Sequence, residues 1–310
     1  MKNRLWTRNY TLLMTATTLG CIGGIAGGYA LSLLVFDETR STLASAIVLA
    51  IQIVPGFLMP LLLAPWMDRM PRKPFLVGGD VLNGVLYAGA GVYLLLFRFS
   101  YVGYLCFSLL LATLSSFDQL AYNSIYPKLI PVGMEQKGYA VSSMLYPVIQ
   151  VLIMPVAAAL YELFGVGLLL IGQGTLSLLA ALIESRISIH EEKRLTEKRY
   201  TVRLWWQDIR EVGRYFQKEK GLRGLYAYMA VTNGVASGYG PVITAFFRTA
   251  PGLSMVLYSF FSVAEFAGRT VAGLLQYTVK IPAKRRFAMI FGVYQVYETM
   301  DMCLLWLPDP

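Results

Sequence analysis

Asp68-Arg69-Met70-Pro71-Arg72-Lys73 is the stretch that decides the fold of this 310-residue chain. It packs an acid and three bases into one short loop. On either side runs a segment of roughly 20 residues with almost no charge, the length that crosses the hydrocarbon core of a bilayer. A tight charged loop between two such runs points to a polytopic membrane protein.

The composition agrees. The chain is 56% hydrophobic and 15% charged, whereas soluble domains carry about 25% charged residues. Many of its 28 glycines fall inside apolar runs, where helices in lipid approach one another through small residues. Gly20, Gly23, Gly24, Gly27 and Gly28 form such a stripe in the first run, and packing is their expected role. Cys21, Cys106 and Cys303 are scattered through apolar runs without metal-ligand spacing and read as small core residues, so no metal site is expected. Lys2, Arg4 and Arg8 precede an apolar run too long for the core of a cleavable leader, so the first run is expected to remain as a signal anchor.

Nine spans are expected, at about 10–36, 43–67, 75–97, 101–125, 138–164, 166–188, 223–248, 252–277 and 286–307. The fold class is all-α, because a helix satisfies its own backbone groups where no water can. With the N-terminus placed inside, all of the 27 Lys and Arg fall in inside segments except Arg40, Arg98, Arg248 and the intraspan Arg269. Cytoplasmic loops collect bases, so this asymmetry puts the N-terminus in the cytoplasm, with the bacterial inner membrane as the expected location. It also explains the net charge of +9 as a topology signal and removes the nucleic-acid reading.

Three regions follow: a six-span bundle at 1–188, a cytoplasmic linker at 189–222 and a partial bundle at 223–310. In the linker Trp205, Ile209, Val212 and Phe216 recur at helical spacing, with Asp208, Arg210, Glu211 and Arg214 facing elsewhere. That is an amphipathic helix suited to a membrane surface. The two halves echo each other. Gly28-Tyr29 and Phe36 recur as Gly238-Tyr239 and Phe246, and the Pro71-Arg72-Lys73 loop is matched by Pro282-Ala283-Lys284-Arg285-Arg286. Repeated bundles are a common construction of secondary transporters, although a chain rich in Gly and Tyr also produces such matches by coincidence.

The charged loop resembles that of the major facilitator superfamily, whose form is G-x-x-x-D-R-x-G-R-K. Asp68, Arg69, Arg72 and Lys73 hold its charged positions, and Ala64 and Pro71 replace its two glycines. The resemblance narrows to the drug, macrolide and siderophore exporter branch. Asp80 looks like that branch's acidic position, with Asn83 standing where an arginine is usual. Asn123-Ser124-Ile125-Tyr126-Pro127-Lys128-Leu129-Ile130-Pro131 resembles its turn after the fourth span. Asp208 through Phe216, followed by Gly221-Leu222-Arg223, is similar to its linker entering span seven. Pro155 with Val156, Ala157, Ala158 and Ala159 is similar to the antiporter signature G-P-x-x-G-G, with Met154 and the alanines in place of glycines. The family has twelve spans and this chain ends after nine, so a complete first half and an incomplete second half are expected, with a fragment or a truncated gene as the two explanations.

Several residues are candidates for chemistry. Asp68, Arg69, Arg72 and Lys73 form a candidate gate, with plain positive-inside topology as the alternative. Asp80 and Asp118 are intramembrane carboxyls that each cost on the order of 2.5–3.5 kcal/mol at the bilayer centre, so a charge network with Arg69 or Arg72 or a proton-coupling role is expected. Glu265 and Arg269 sit four apart with the acid first, the order that favours an intrahelical pair. Tyr29, Gln52, Asn83, Tyr87, Gln150, Gln173, Asn233 and Tyr239 are polar or aromatic groups inside spans from which a solute cavity could be drawn.

The resemblance implies a secondary active exporter of amphipathic small molecules working by alternating access, with protons as coupling ion and no cofactor. No Walker A loop is present, and the only histidine, His190, lies in the linker, so neither direct ATP use nor an enzyme is expected. A truncated non-transporting remnant or a membrane binding protein is the alternative.

Overall fold

The computed structural model describes residues 5–67, 71–188, 201–249, 255–279 and 282–300. The regular structure among these residues is all helical, with no strand among them. In order the helices are α1 Arg8–Thr39, α2 Thr42–Met67, α3 Lys73–Leu96, α4 Tyr101–Leu129, α5 Glu135–Ser185, α6 Val202–Lys218, α7 Lys220–Thr249, α8 Met255–Thr278 and α9 Ala283–Met300. Among the described residues five helices are long and apolar enough to cross a bilayer, and all lie between residues 8 and 185. Pro55, Pro60 and Pro65 stand inside α2 without ending it, as helices in lipid allow when neighbouring groups re-satisfy the freed carbonyls.

Two expected spans, 138–164 and 166–188, are fused into the helical stretch α5. The break between them is Gly165, at φ 72 and ψ 178. That conformation is essentially closed to residues with a Cβ, so a glycine lets the chain change direction without leaving helix for more than one residue. The two limbs of α5, 135–164 and 166–185, therefore act as separate spans.

The chain divides into two compact units, Met1–Ile209 and Arg210–Pro310. In the first, α1 and α3 both pack most extensively on α5, and α2 on α4. The α3–α5 crossing is a contact of backbones. A Cβ built on Gly174 would stand 2.6 Å from Gly84 O, and one on Gly91 would stand 2.5 Å from Gly167 O. Lipid tails are as apolar as leucine, so helices in a bilayer gain by close van der Waals approach, and glycine permits it. The stripe on α1 is used only in part. Gly23 and Gly27 face Gln173 of α5, whereas nothing lies within 4 Å of a Cβ on Gly20, Gly24 or Gly28.

A buried aromatic cluster joins α1, α4 and the start of α5. Tyr126 Oη donates to Gly138 O at 2.5 Å, and Tyr10 Oη lies 3.3 Å from Tyr126 Oη. Leu31, Leu34, Val35, Val48, Tyr104, Leu111 and Leu170 form an apolar core farther along the bundle.

Helix α6 is the most amphipathic of the helices and covers much of the expected linker; residues 189–200 lie outside the described residues. Trp205 and Ile209 are half-buried, and Trp205 Nε1 donates to Leu62 O at 2.8 Å. Val212, from the same expected face, is exposed. In the second unit α7 packs against α8, and the rings of Phe216 and Tyr226 lie 5.5 Å apart.

Candidate functional site

Two features of the first unit carry polar chemistry in an apolar setting. The first is a cavity of about 430 Å³ among α1, α2, α3 and α4. Gly28, Leu31, Ser32 and Val35 form one wall, and Val48, Gln52 and Gly56 a second. Tyr87 stands on α3, while α4 contributes Tyr104, Ser108, Leu111, Ala112, Ser115 and Ser116. The four-residue rhythm of Tyr104, Ser108, Ala112 and Ser116 puts them on one face of α4. Several hydroxyl protons are already committed. Ser32 donates to Tyr29 O at 2.8 Å, Tyr104 to Leu31 O at 3.1 Å and Ser116 to Ala112 O at 2.8 Å. Of the expected cavity residues, Gln52 and Tyr87 line this space.

The second feature is a cluster of carboxyls on α3, α4 and the last turn of α5. Asp80 and Asp118 lie within electrostatic reach of each other, and Glu184 within reach of both. Asn83 Nδ2 donates to Asp118 Oδ2 at 2.5 Å. Asp118 Oδ1 and Glu184 Oε2 are buried without a hydrogen-bond partner. Glu184 is only 3% exposed. A buried carboxyl oxygen with no donor is costly unless it takes up a proton or meets a bound species. Among the described residues no group of three or more His, Cys, Asp and Glu could hold a metal ion.

The cluster lies near the end of the bundle where α3 begins and α5 ends. At that end Lys73 Nζ donates to Ser185 O at 2.6 Å and Asn9 Nδ2 to Ser188 O at 2.6 Å. A base on the last carbonyls of a helix satisfies groups that have no partner within it and complements the helix dipole. Arg72 is the N-cap residue of α3 and is engaged by a partner of its own. Asp68 and Arg69 lie outside the described residues.

The remaining sequence candidates are dispersed. Asn83 belongs with the carboxyls and does not line the cavity. Tyr29 packs edge-on against Tyr161 with ring centres 6.0 Å apart, and Tyr161 Oη donates to Asp37 Oδ2 at 2.8 Å. Gln150 is half-buried on α5. Gln173 is 6% exposed, and its side chain fills the space beside Gly23 and Gly27. On α7 the exposed Asn233 donates to Met229 O at 2.8 Å. Arg269 is exposed on α8 and has a partner. The side chains of Tyr239 and Glu265 lie outside the described residues, as does His190.

Glu184 escaped the sequence reading. It stands beside Arg186 at the end of an apolar run and reads there as a boundary residue. The available signal was position: an acid inside the expected limits of a span, on the same helical end as Asp80 and Asp118.

Helices of bilayer-spanning length around a cavity of about 430 Å³ fit a multi-pass membrane protein that takes up a small molecule. The model of the Major Facilitator Superfamily matches residues 9–296, and the chain belongs to that family. No curated protein and no solved structure matches the chain. Membership implies a small-molecule solute and a membrane setting, and transporters of this family are generally not enzymes.

Proposed function

We propose that the protein is a secondary active exporter of amphipathic small molecules, working by alternating access with proton antiport from a cytoplasmic N-terminus in a bacterial inner membrane. The observation that carries the reading is the pairing of a cavity among α1, α2, α3 and α4 with a separate group of buried and half-buried carboxyls. A transporter driven by protons needs a place for solute and a place for protons, and coupling requires that each bias the same conformational equilibrium.

Asp80, Asp118 and Glu184 take the proton-carrying role in this reading. Like charges brought together away from water repel, and uptake or release of a proton changes how tightly α3, α4 and α5 hold together. The loop at Asp68, Arg69, Arg72 and Lys73 acts as the gate. Support comes from Lys73, whose bond to Ser185 joins the start of α3 to the end of α5. Such a bond can form in one conformation and break in another. The exporter branch rests on the resemblances at Asp80, at 123–131 and at 208–216. The domain limits 1–188, 189–222 and 223–310 belong to the same proposal, as does Glu265 with Arg269 as a second charge pair.

The test is efflux from proteoliposomes of three dansyl sulfonamides that share one ring system: a neutral ethanolamine derivative, a trimethylammonium derivative and a carboxylate. At least one should leave at a rate that rises with an imposed pH gradient and collapses with a protonophore. Asp118→Asn and Glu184→Gln should each lower that rate at least tenfold at equal reconstitution. Rates indifferent to the gradient overturn antiport, and no flux of any of the three overturns transport of this solute class.

A further inference from the structure

The wall chemistry of the cavity among α1, α2, α3 and α4 supplies a selection rule. Among its described lining residues none carries a charge. The side chains are aliphatic or are hydroxyls, two phenols and one amide. A charged solute entering such a space loses its water and meets no counter-charge, which is the most unfavourable way to bury an ion. Three of the six hydroxyls also have a direction. Ser32, Tyr104 and Ser116 give their protons to Tyr29 O, Leu31 O and Ala112 O. What they can still offer is lone pairs. Gln52 and Ser115 have no hydrogen-bond partner among the described residues, so they can both give and accept.

We infer that this cavity binds an uncharged amphipathic solute that carries O–H or N–H donors, and discriminates against cations and anions of the same shape. The inference rests on reading this cavity as the solute site, and it narrows the substrate class of the proposed exporter. A volume of about 430 Å³ falls in the range of small-molecule sites, about 300–1,000 Å³. The apolar patches of Leu31, Val35, Val48 and Leu111 take the ring portion, and the hydroxyl-bearing side of α4 with Gln52 takes the donors.

Gly28 supplies a clean way to test occupancy. It lines the cavity, and a Cβ placed there has nothing within 4 Å. A Cβ at this position therefore meets no neighbour, and a larger side chain there serves as a probe of the space the solute would fill. Gly20 is two turns away on the same helix, also has nothing within 4 Å, and does not line the cavity.

The experiment is equilibrium binding of the three dansyl sulfonamides to the purified full chain in detergent, read by dansyl fluorescence. The neutral ethanolamine derivative should bind at least tenfold more tightly than either charged analogue. Gly28→Leu should abolish its binding and Gly20→Leu should leave it unchanged, with size-exclusion profile and melting temperature monitored for both. Gln52→Leu, which keeps the side-chain bulk and removes the amide, should weaken binding at least fivefold and serves where Gly28→Leu fails to fold. Equal or tighter binding of a charged analogue overturns the inference, as does no binding of any analogue or neutral binding that survives both Gly28→Leu and Gln52→Leu. Gradient-driven efflux without charge selection sinks this inference alone. Neutral-selective binding with efflux indifferent to the gradient sinks only the antiport reading, and neutral-selective binding with no flux sinks the transport reading and leaves this inference standing.

Discussion

Asn83 Nδ2 donates to Asp118 Oδ2 across the α3–α4 contact at 2.5 Å, while the other carboxyl oxygen of Asp118 is buried with no partner. One amide is thus what the protein supplies to this carboxyl. Replacing Asn83 by Leu removes the donor and leaves the group in place. A buried acceptor stripped of its partner costs about 1–3 kcal/mol. Asn83→Leu is expected to lower thermal stability in detergent and to reduce gradient-driven efflux at least tenfold. Unchanged melting and unchanged efflux together would remove this pair from the mechanism.

The α3–α5 crossing makes a sharp forecast about small residues. A Cβ at Gly174 would meet Gly84 O at 2.6 Å and Ala88 N at 2.7 Å. Both are backbone atoms, which cannot swing aside. Gly174→Ala should therefore separate the helices and destabilise the protein by about 1–3 kcal/mol. Gly172→Ala, two residues away with nothing within 4 Å, should be neutral or slightly stabilising. Melting curves of the two variants side by side decide the matter, and equal curves would count against the close crossing.

Gly165 tests the division of α5 into two limbs. At φ 72 and ψ 178 any residue with a Cβ is strained by about 1–3 kcal/mol. Gly165→Ala should lower stability by that amount, although alanine is the better helix former. If the variant melts higher than the parent, the limbs form one uninterrupted helix and the direction change is wrong.

The tyrosine cluster at the start of α5 should show coupling. Tyr10 and Tyr126 both reach Gly138 O, at 3.4 and 2.5 Å, and their hydroxyls are 3.3 Å apart. Tyr126→Phe is expected to cost about 0.5–1.5 kcal/mol. The double variant with Tyr10→Phe should depart from additivity by at least about 0.5 kcal/mol, because neighbours in one network share their energy. Strict additivity in a thermal double-mutant cycle would show that the two hydroxyls act separately.

Much of the fold was legible in the residues. Long apolar runs separated by charged loops located α1 to α4 to within a few positions, because in lipid a chain has few ways to satisfy its backbone. Even the break inside α5 was marked, since a glycine stands between two runs that are each long enough to span. The site was less legible. Asp80 and Asp118 could be picked out, because a carboxyl in an apolar run is costly and conspicuous. Glu184 was passed over, because near Arg186 at the end of an apolar run it reads as a boundary residue, although it falls inside the expected span 166–188.

The sequence by itself determined the family, the helical class and the separation of spans, because hydropathy and loop charge act locally along the chain. Only the tertiary structure decided that Asn83 serves Asp118 and does not line the cavity, that Gly84 and Gly91 meet Gly174 and Gly167, and that Gln52 and Tyr87 share a cavity with one face of α4. Those pairings depend on how each helix is rotated about its axis. In a bilayer that rotation is set by which small residues let two backbones touch, and hydropathy is nearly blind to it.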